Sequence, residues 1–349
     1  MMKVLITGAD GFIGSHLTDS CLSRDYEIYA LIQPNSLIKN LTQYTDGKSK
    51  FSDNEKINVY AESIQIPTTN KNLTVIECDI KNHLLLEKII LEVKPNLIFH
   101  LAAQSKVIPS WEDPINTIRT NVVGTINIFE PIKKLDLSTK VIIACSSAEY
   151  GTTTDIDRPL RENDPLLAIH PYGISKIGAE LLARQYFINF GIDTVILRLF
   201  IQTGPRKTGD ATSDFASKIA KIELGLSEPI IEVGNLETYR DITGIKDTLQ
   251  AIWLVTTKGK PGETYNICSG RKIKTRDVLH MILNLSSKKI RVIEDTPVKL
   301  RKTDENVILG DNAKIKNDLG FKITQSIEDL MKEIFDFWIT YYKKNTPQF

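Results

Sequence analysis

The chain has 349 residues, 42% hydrophobic and 25% charged, with 19 Gly and 14 Pro, a balance that excludes a disordered, collagenous or disulfide-scaffold protein. At roughly 150 residues per domain, the length accommodates about two domains, each able to bury a core. Lys+Arg total 44 against Asp+Glu 43, a net charge of +1, so no basic field stands ready for nucleic acid or an anionic membrane, and any bound anion must be captured locally.

The N-terminal MMKVLITG enters a strand-like run at Lys3–Thr7, and further runs follow at Glu27–Ile32, Leu73–Cys78, Leu97–Leu101, Val141–Ser146 and Thr194–Leu199. Buried parallel strands read as such apolar runs, and the amphipathic stretches between them supply helical crossovers, which predicts an α/β, doubly wound parallel sheet. The connection from Ser36 to Asn72 is polar and far exceeds the usual ~2–6 residues; it reads as a surface insertion, with a lid or subunit contact as the functional alternative. After Phe200 the pattern loosens around Gly204, Pro205, Gly209, Gly225 and Pro229. The predicted division is therefore 1–199 with 236–268 as a dinucleotide-binding domain, and 200–235 with 269–349 as a smaller substrate-binding domain. Cys21, Cys78, Cys145 and Cys268 are far apart and form no metal-ligand spacing, so the reading is a reduced, cytoplasmic chain with no metal. No stretch approaches the ~18 apolar residues of a membrane span, and neither a signal peptide nor a membrane partner is expected.

Directly after the first strand comes Thr7-Gly8-Ala9-Asp10-Gly11-Phe12-Ile13-Gly14, which opens a helix. Glycines at this turn let the backbone approach a pyrophosphate, and the helix N-terminus holds the anion. The strand–glycines–helix order makes the sheet Rossmann-type and names NAD or NADP as the cofactor. The end of the second strand normally shows Asp or Glu for the ribose of NAD, or Arg for the 2′-phosphate of NADP; here it reads Leu31-Ile32-Gln33-Pro34-Asn35-Ser36, with neither signal. Asp79-Ile80, after the third predicted strand, places a carboxylate either by the adenine amino group or at a helix cap.

Tyr172 and Lys176 stand four apart in HPYGISKIGAELLARQY, one turn apart on one helical face. An ammonium beside a phenol favours phenolate and should lower the phenol's pKa from ~10, so Tyr172 is the expected proton-transfer group and Lys176 its tuner and a ribose ligand. Ala144-Cys145-Ser146-Ser147-Ala148-Glu149-Tyr150-Gly151 ends a strand where the active sites of such sheets open, and a serine there can hydrogen-bond a substrate oxygen.

Together TGADGFIG, AAQS at Ala102–Ser105, NVVGT at Asn121–Thr125, SSAEYG and PYGISK resemble the extended short-chain dehydrogenases/reductases acting on nucleotide sugars. The later segments SDFASKIAKIELG, EPIIEVGNLETYRDITGIKD, GETYNICSG and LRKTDENVILGDNAKIKNDLGF are similar to GDP-4-keto-6-deoxy-mannose reductases and, less closely, to GDP-mannose 4,6-dehydratases. The resemblance implies Ser146, Tyr172 and Lys176 as catalytic residues. It implies cofactor contacts from Gly8, Gly11, Phe12, Ile13, Gly14, Asp79, Ile80, Leu101, Ala102, Ala103 and Asn121 besides Tyr172 and Lys176. For the sugar nucleotide it implies Gln104, Ser146, Ser147 and Asn235, with Arg240 and Arg301 on the diphosphate and Asp304 on the ribose. It also implies a homodimer, because the helices read at Thr120–Leu135 and Tyr172–Phe190 pair across a two-fold axis in resembling proteins.

Three positions depart from the family pattern. Ile201 stands where an Asn reaches the sugar nucleotide, and Lys302 replaces a Pro. Dehydratases are similar in carrying a glutamate two residues ahead of the tyrosine of their YG, which here is Ala148; Glu149 is one residue late, and on an extended strand would face the other way. The expectation is therefore reduction of a 4-keto-6-deoxy hexose on a GDP-sugar, against a dehydratase or epimerase with retained cofactor, or a cofactor-binding regulatory protein without catalysis.

Overall fold

Aliphatic and β-branched residues crowd the strand-forming runs, and most are buried on both faces, as a helix-covered parallel sheet requires. The computed structural model describes residues 1–36, 38–45, 64–66, 68–152, 157–294 and 307–345. They divide into two units: Met1–Gly151, Pro165–Arg198 and Ile252–Tyr265 form the first, and Thr152–Asp164, Leu199–Ala251 and Asn266–Phe349 the second. The predicted division places 152–164 and 236–251 in the first unit, whereas here they lie in the second. Leu160 bridges Gly310, the Glu162 carboxylate accepts the Asn266 N–H at 2.8 Å, and Tyr239–Gly244 pairs with Ile201–Thr203 and Lys272–Lys274.

The first unit is built on β1 (Lys3–Thr7), β2 (Glu27–Ile32), β3 (Ile64–Ile66), β4 (Leu73–Glu77), β5 (Leu97–His100), β6 (Lys140–Ser146) and β7 (Thr194–Leu199). They stand in the order β7-β6-β5-β1-β2-β4-β3, with the strand Thr264–Ile267 beyond β7. β1 pairs in parallel with both β2 and β5, so the strand order reverses there. In such sheets ligands bind beyond the carboxyl ends of the strands at that reversal. The helices that lie wholly in this unit include α1 (Phe12–Leu22), α2 (His83–Val93), α3 (Val107–Glu112), α4 (Pro114–Ile118), α5 (Gly124–Lys134) and α6 (Pro171–Phe190). One sheet face packs Leu5, Leu31, Ile98, Val141 and Ile196 against Leu86, Ile90, Phe129 and Ala183 from α2, α5 and α6; full burial of each such large side chain stabilises by roughly 1.5–3 kcal/mol.

The helix predicted at Thr120–Leu135 begins instead with a π-helical turn, Arg119–Val123, before α5. The connection after β2 also differs from a plain surface insertion. Ile38 and Leu41 are buried, Tyr44 donates to the Asp19 carboxylate of α1 at 2.7 Å, and β3 adds an antiparallel edge to β4; residues 37, 46–63 and 67 of the stretch lie outside the described residues. In the second unit, the helices Ala211–Glu223, Thr275–Leu283 and Ile327–Asn345 enclose a separate core with Phe215, Ile219, Ile242, Leu279, Ile334 and Trp338. The four cysteines are free and buried, and no helix among the described residues is long and apolar enough to cross a membrane.

Candidate active site

At the strand reversal, Thr7 of β1 lies opposite His100 of β5. Gly8 follows with φ +69°, and a Cβ there would come within 3.0 Å of the Ala102 backbone; at Gly14 it would sit 2.1 Å from the Gly8 carbonyl oxygen. Only glycine lets this turn close and the 101–103 segment lie against it. Gly11 is the N-cap of α1, which carries neither a side-chain cap nor an acidic residue in its first turn. A turn cleared of Cβ atoms before an uncapped helix N-terminus fits a dinucleotide pyrophosphate, with Phe12 and Ile13 supplying the first helical N–H groups.

Behind the turn runs a hydrogen-bond chain centred on His100, which stands in none of the sequence motifs. Thr7 Oγ1 accepts the N–H groups of Leu101 and Ala102 at 3.2 and 3.1 Å, which leaves its own proton for His100 Nδ1 at 2.9 Å. His100 Nε2 then carries the ring proton and donates to Thr125 Oγ1 at 3.0 Å, and Thr125 donates to the Asn121 carbonyl at 2.7 Å. These directions assign the tautomer. Burial, helped by the Lys176 charge, pushes the His100 pKa down to about 3, so the ring stays neutral. Asn121, on the π-helical turn, holds Gln104 through both backbone groups at 2.8 and 2.9 Å and donates to Ser175 Oγ of α6 at 2.8 Å. It thereby ties the exit of β5 to α6.

Tyr172 and Lys176 ride the first turns of α6, started by Pro171 and capped by His170, whose Nδ1 accepts the Gly173 N–H at 3.0 Å. A Cβ on Gly173 would lie 2.4 Å from the Ala148 carbonyl, so α6 closes onto the serine turn and Tyr172 hydrogen-bonds Ser146. The predicted lowering of the Tyr172 pKa is not found. Lys176 is buried and directs its ammonium to the Ala144 carbonyl at 2.8 Å. Desolvation of the phenol outweighs the Ser146 hydrogen bond and pushes Tyr172 up to about 12. The phenol is a protonated donor at neutral pH. Burial also moves Lys176 down from the ordinary lysine value.

After Ser146 the chain is not extended, as had been expected, but forms a 3₁₀ turn, Ser147–Glu149. Ser147 and Ala148 are half-buried, while Glu149 is sealed inside. Its Oε1 accepts the Ser146 N–H at 2.8 Å, and Ser146 Oγ accepts the Ala148 N–H at 3.2 Å. Glu149 thus braces the serine from behind and does not reach the open side. Burial and the neighbouring Glu180 raise its pKa well above the ordinary carboxylate value, which favours the neutral form of Glu149 beside Glu180. Cys145, Glu149 and Glu180 bring ligand-type atoms within 4.8 Å of one another, but the positive charge among them belongs to Arg198, which bonds Glu180 at 2.6 and 2.9 Å and Tyr150 at 2.8 Å.

The remaining predicted residues make local contacts. Asp79 makes a local turn, accepting the Lys81 N–H at 2.9 Å, while α2 is capped by Asn82; Ile80 is buried under Gly124. In the second unit, Asn235 accepts the Glu237 N–H at 2.8 Å, Arg240 donates to the Tyr239 carbonyl at 2.8 Å, and Ile201 opens the strand Ile201–Thr203. Arg301, Lys302 and Asp304 lie outside the described residues. His100, Thr125, Glu180 and Arg198 were not picked out from the sequence; a lone polar residue in an otherwise apolar strand, as at His100 and Arg198, was the available signal.

A family model described as GDP-mannose 4,6 dehydratase matches residues 5–334. The GDP-6-deoxy-D-mannose reductase of Pseudomonas aeruginosa is 27% identical over 70% of this chain and 80% of its own length. The GDP-mannose 4,6-dehydratase of Yersinia enterocolitica is 25% identical over 96% of this chain and 93% of its own. A solved structure of RMD from Pseudomonas aeruginosa complexed with NADPH shares the fold, with a TM-score of 0.78 at 23% identity over 98% of this chain and 100% of that one.

Proposed function

The chain belongs to the GDP-mannose 4,6-dehydratase family, and from that premise we propose that it is an NAD(P)-dependent nucleotide-sugar oxidoreductase that reduces the keto carbon of a GDP-linked 4-keto-6-deoxy hexose. The observation that carries the reductive reading is the turn after Ser146, which sets Glu149 Oε1 on the Ser146 N–H and leaves only Ala148 at the position of the dehydratase glutamate. When bound, a reduced nicotinamide supplies the hydride. Ser146 orients the keto oxygen, and Tyr172 delivers its proton to the alkoxide as it forms. Lys176, its ammonium held on the Ala144 carbonyl one helical turn away, is the nearest cation on α6 to the phenolate that results. Gln104, Ser147, Asn235, Arg240, Arg301 and Asp304 are the proposed sugar-nucleotide contacts. Dehydration requires an additional acid–base group near sugar carbons 5 and 6; the position that carries it in resembling dehydratases is Ala148, and Glu149 is occupied behind Ser146.

GDP-4-keto-6-deoxy-mannose is therefore expected to oxidise NADH or NADPH mole for mole, while GDP-mannose with the oxidised cofactor yields no keto-deoxy sugar. Accumulation of that sugar from GDP-mannose without net cofactor change would overturn the reductase reading in favour of a dehydratase.

The proposal extends to a cytoplasmic homodimer, the compartment keeping four buried thiols reduced. Ile174, Leu181 and Ile188 recur every seven residues along α6 and remain 51%, 57% and 68% exposed; Ile115 and Val123 nearby are 66% and 41% exposed. An apolar stripe of this kind on a helix already packed on its other side suits a partner helix. Light scattering is expected to give twice the chain mass, reduced to one by Leu181→Asp; a wild-type monomer mass at all concentrations would refute the dimer.

A further inference from the structure

The end of β2 lacks the acidic or basic residue that selects between the two dinucleotides, yet a carboxylate stands there. It comes from the glycine turn. Asp10, between Gly8 and Gly11, hydrogen-bonds the Ser36 hydroxyl, and its backbone carbonyl accepts Asn40 Nδ2 at 3.0 Å. One residue earlier, the Ala9 N–H donates to the Leu31 carbonyl at 3.1 Å. The turn is thus stitched to the end of β2, and Asp10 and Ser36 both remain partly exposed.

Other charges frame this spot. Glu77, opposite Ile32 in register, is buried and accepts the Asn35 N–H; desolvation raises its pKa. At the end of β4, Asp79 pairs with Lys81 at 3.5 Å. Among the described residues of 33–45, Lys39 alone is cationic, and it is exposed. A pyrophosphate on the α1 N-terminus directs the adenosine ribose to the end of β2, where Ser36 holds the partly exposed Asp10 carboxylate.

We propose that Asp10 is the residue that makes this protein select NAD(H) over NADP(H), its carboxylate accepting the ribose 2′-hydroxyl and repelling a 2′-phosphate. Ser36 acts as its positioning residue, holding the carboxylate toward the end of β2, while Asn40 fixes the backbone beneath it. The inference rests on the dinucleotide-binding reading above and adds to it the choice of cofactor.

Calorimetric titration with NAD⁺ and NADP⁺ separates the two. A charge-assisted hydrogen bond changes affinity by roughly tenfold to a hundredfold, so NAD⁺ is expected to bind at least about tenfold more tightly to the wild type. Asp10→Asn keeps the shape and a hydrogen bond to Ser36; it should weaken NAD⁺, strengthen NADP⁺ and shrink the preference by about tenfold. A gain in NADP⁺ affinity cannot come from misfolding. Ser36→Ala, which leaves the carboxylate in place, should still prefer NAD⁺. Equal or tighter wild-type binding of NADP⁺, or an unchanged ratio in Asp10→Asn, overturns the role of Asp10 and leaves the cofactor site standing. Binding of neither dinucleotide removes the cofactor site and this inference with it.

Discussion

Tyr172→Phe is expected to lower turnover by ~10²–10⁴, the usual contribution of a general acid, with dinucleotide affinity close to wild type. The substitution deletes one hydroxyl from a phenol that bonds Ser146 and removes little volume, so the helix start at Pro171 and the Gly173 contact stay intact. In the reductive direction the group must hold a proton, and with its pKa pushed up to about 12 by burial it holds one throughout the neutral range. The reverse oxidation needs phenolate, and its rate should rise with pH across that range. Lys176→Ala should differ from Tyr172→Phe by lowering both turnover and cofactor affinity. Steady-state kinetics beside a binding titration decide the matter: near wild-type turnover in Tyr172→Phe would remove the tyrosine from its role.

Much of this arrangement is legible in the residues because it depends on local pattern. The apolar runs mark β1, β2 and β4–β7 to within a residue or two, since strands buried on both faces are built mainly from apolar side chains. The glycine turn is legible for a similar reason: Gly8 and Gly14 stand where a Cβ would meet backbone. What pattern does not carry is the direction of a side chain after a strand ends. The 3₁₀ turn at Ser147–Glu149 follows from a local capping bond at Ser146, and it turns Glu149 inward where an extended chain had been expected. Tyr172 shows the same limit in electrostatics. Sequence spacing brings Lys176 within one turn, but the Ala144 carbonyl claims the ammonium, and desolvation then dominates the phenol. Long-range partners such as Asp10 with Ser36 are 26 positions apart and become neighbours only through the pairing of β1 with β2.

The second large effect is on stability and concerns Arg198. Its guanidinium is 3% exposed, bonded to Glu180 through two nitrogens and to Tyr150 through a third, and lies 3.5 Å from Glu149. Burial favours the neutral form of Glu149, which leaves Glu180 as the carboxylate that balances the guanidinium. Burial alone would raise the Glu180 pKa, but the Arg198 hydrogen bonds and charge hold it below the ordinary carboxylate value. Arg198→Met keeps an apolar chain in place and strands Glu180 without its cation; breaking a buried pair from one side costs ~3–5 kcal/mol, a large share of the ~5–15 kcal/mol that stabilises a typical domain. The pH dependence has a definite sign. Without Arg198 the folded-state pKa of Glu180 lies above its unfolded value, so the folded form binds more protons between the two, and stability falls as pH rises through that window. In the wild type the folded value is depressed, and the stability Glu180 contributes is lost as pH falls. Denaturant titrations at about pH 5 and pH 8 should therefore show a larger deficit for Arg198→Met at the higher pH. Adding Glu180→Leu, which removes the stranded carboxyl, should recover part of it. A deficit below about 1 kcal/mol, or one independent of pH, would mean that the cluster is not the buried ion pair its geometry describes. Because Glu149 joins this cluster to the Ser146 N–H, turnover in Arg198→Met should fall even under conditions where the variant is fully folded.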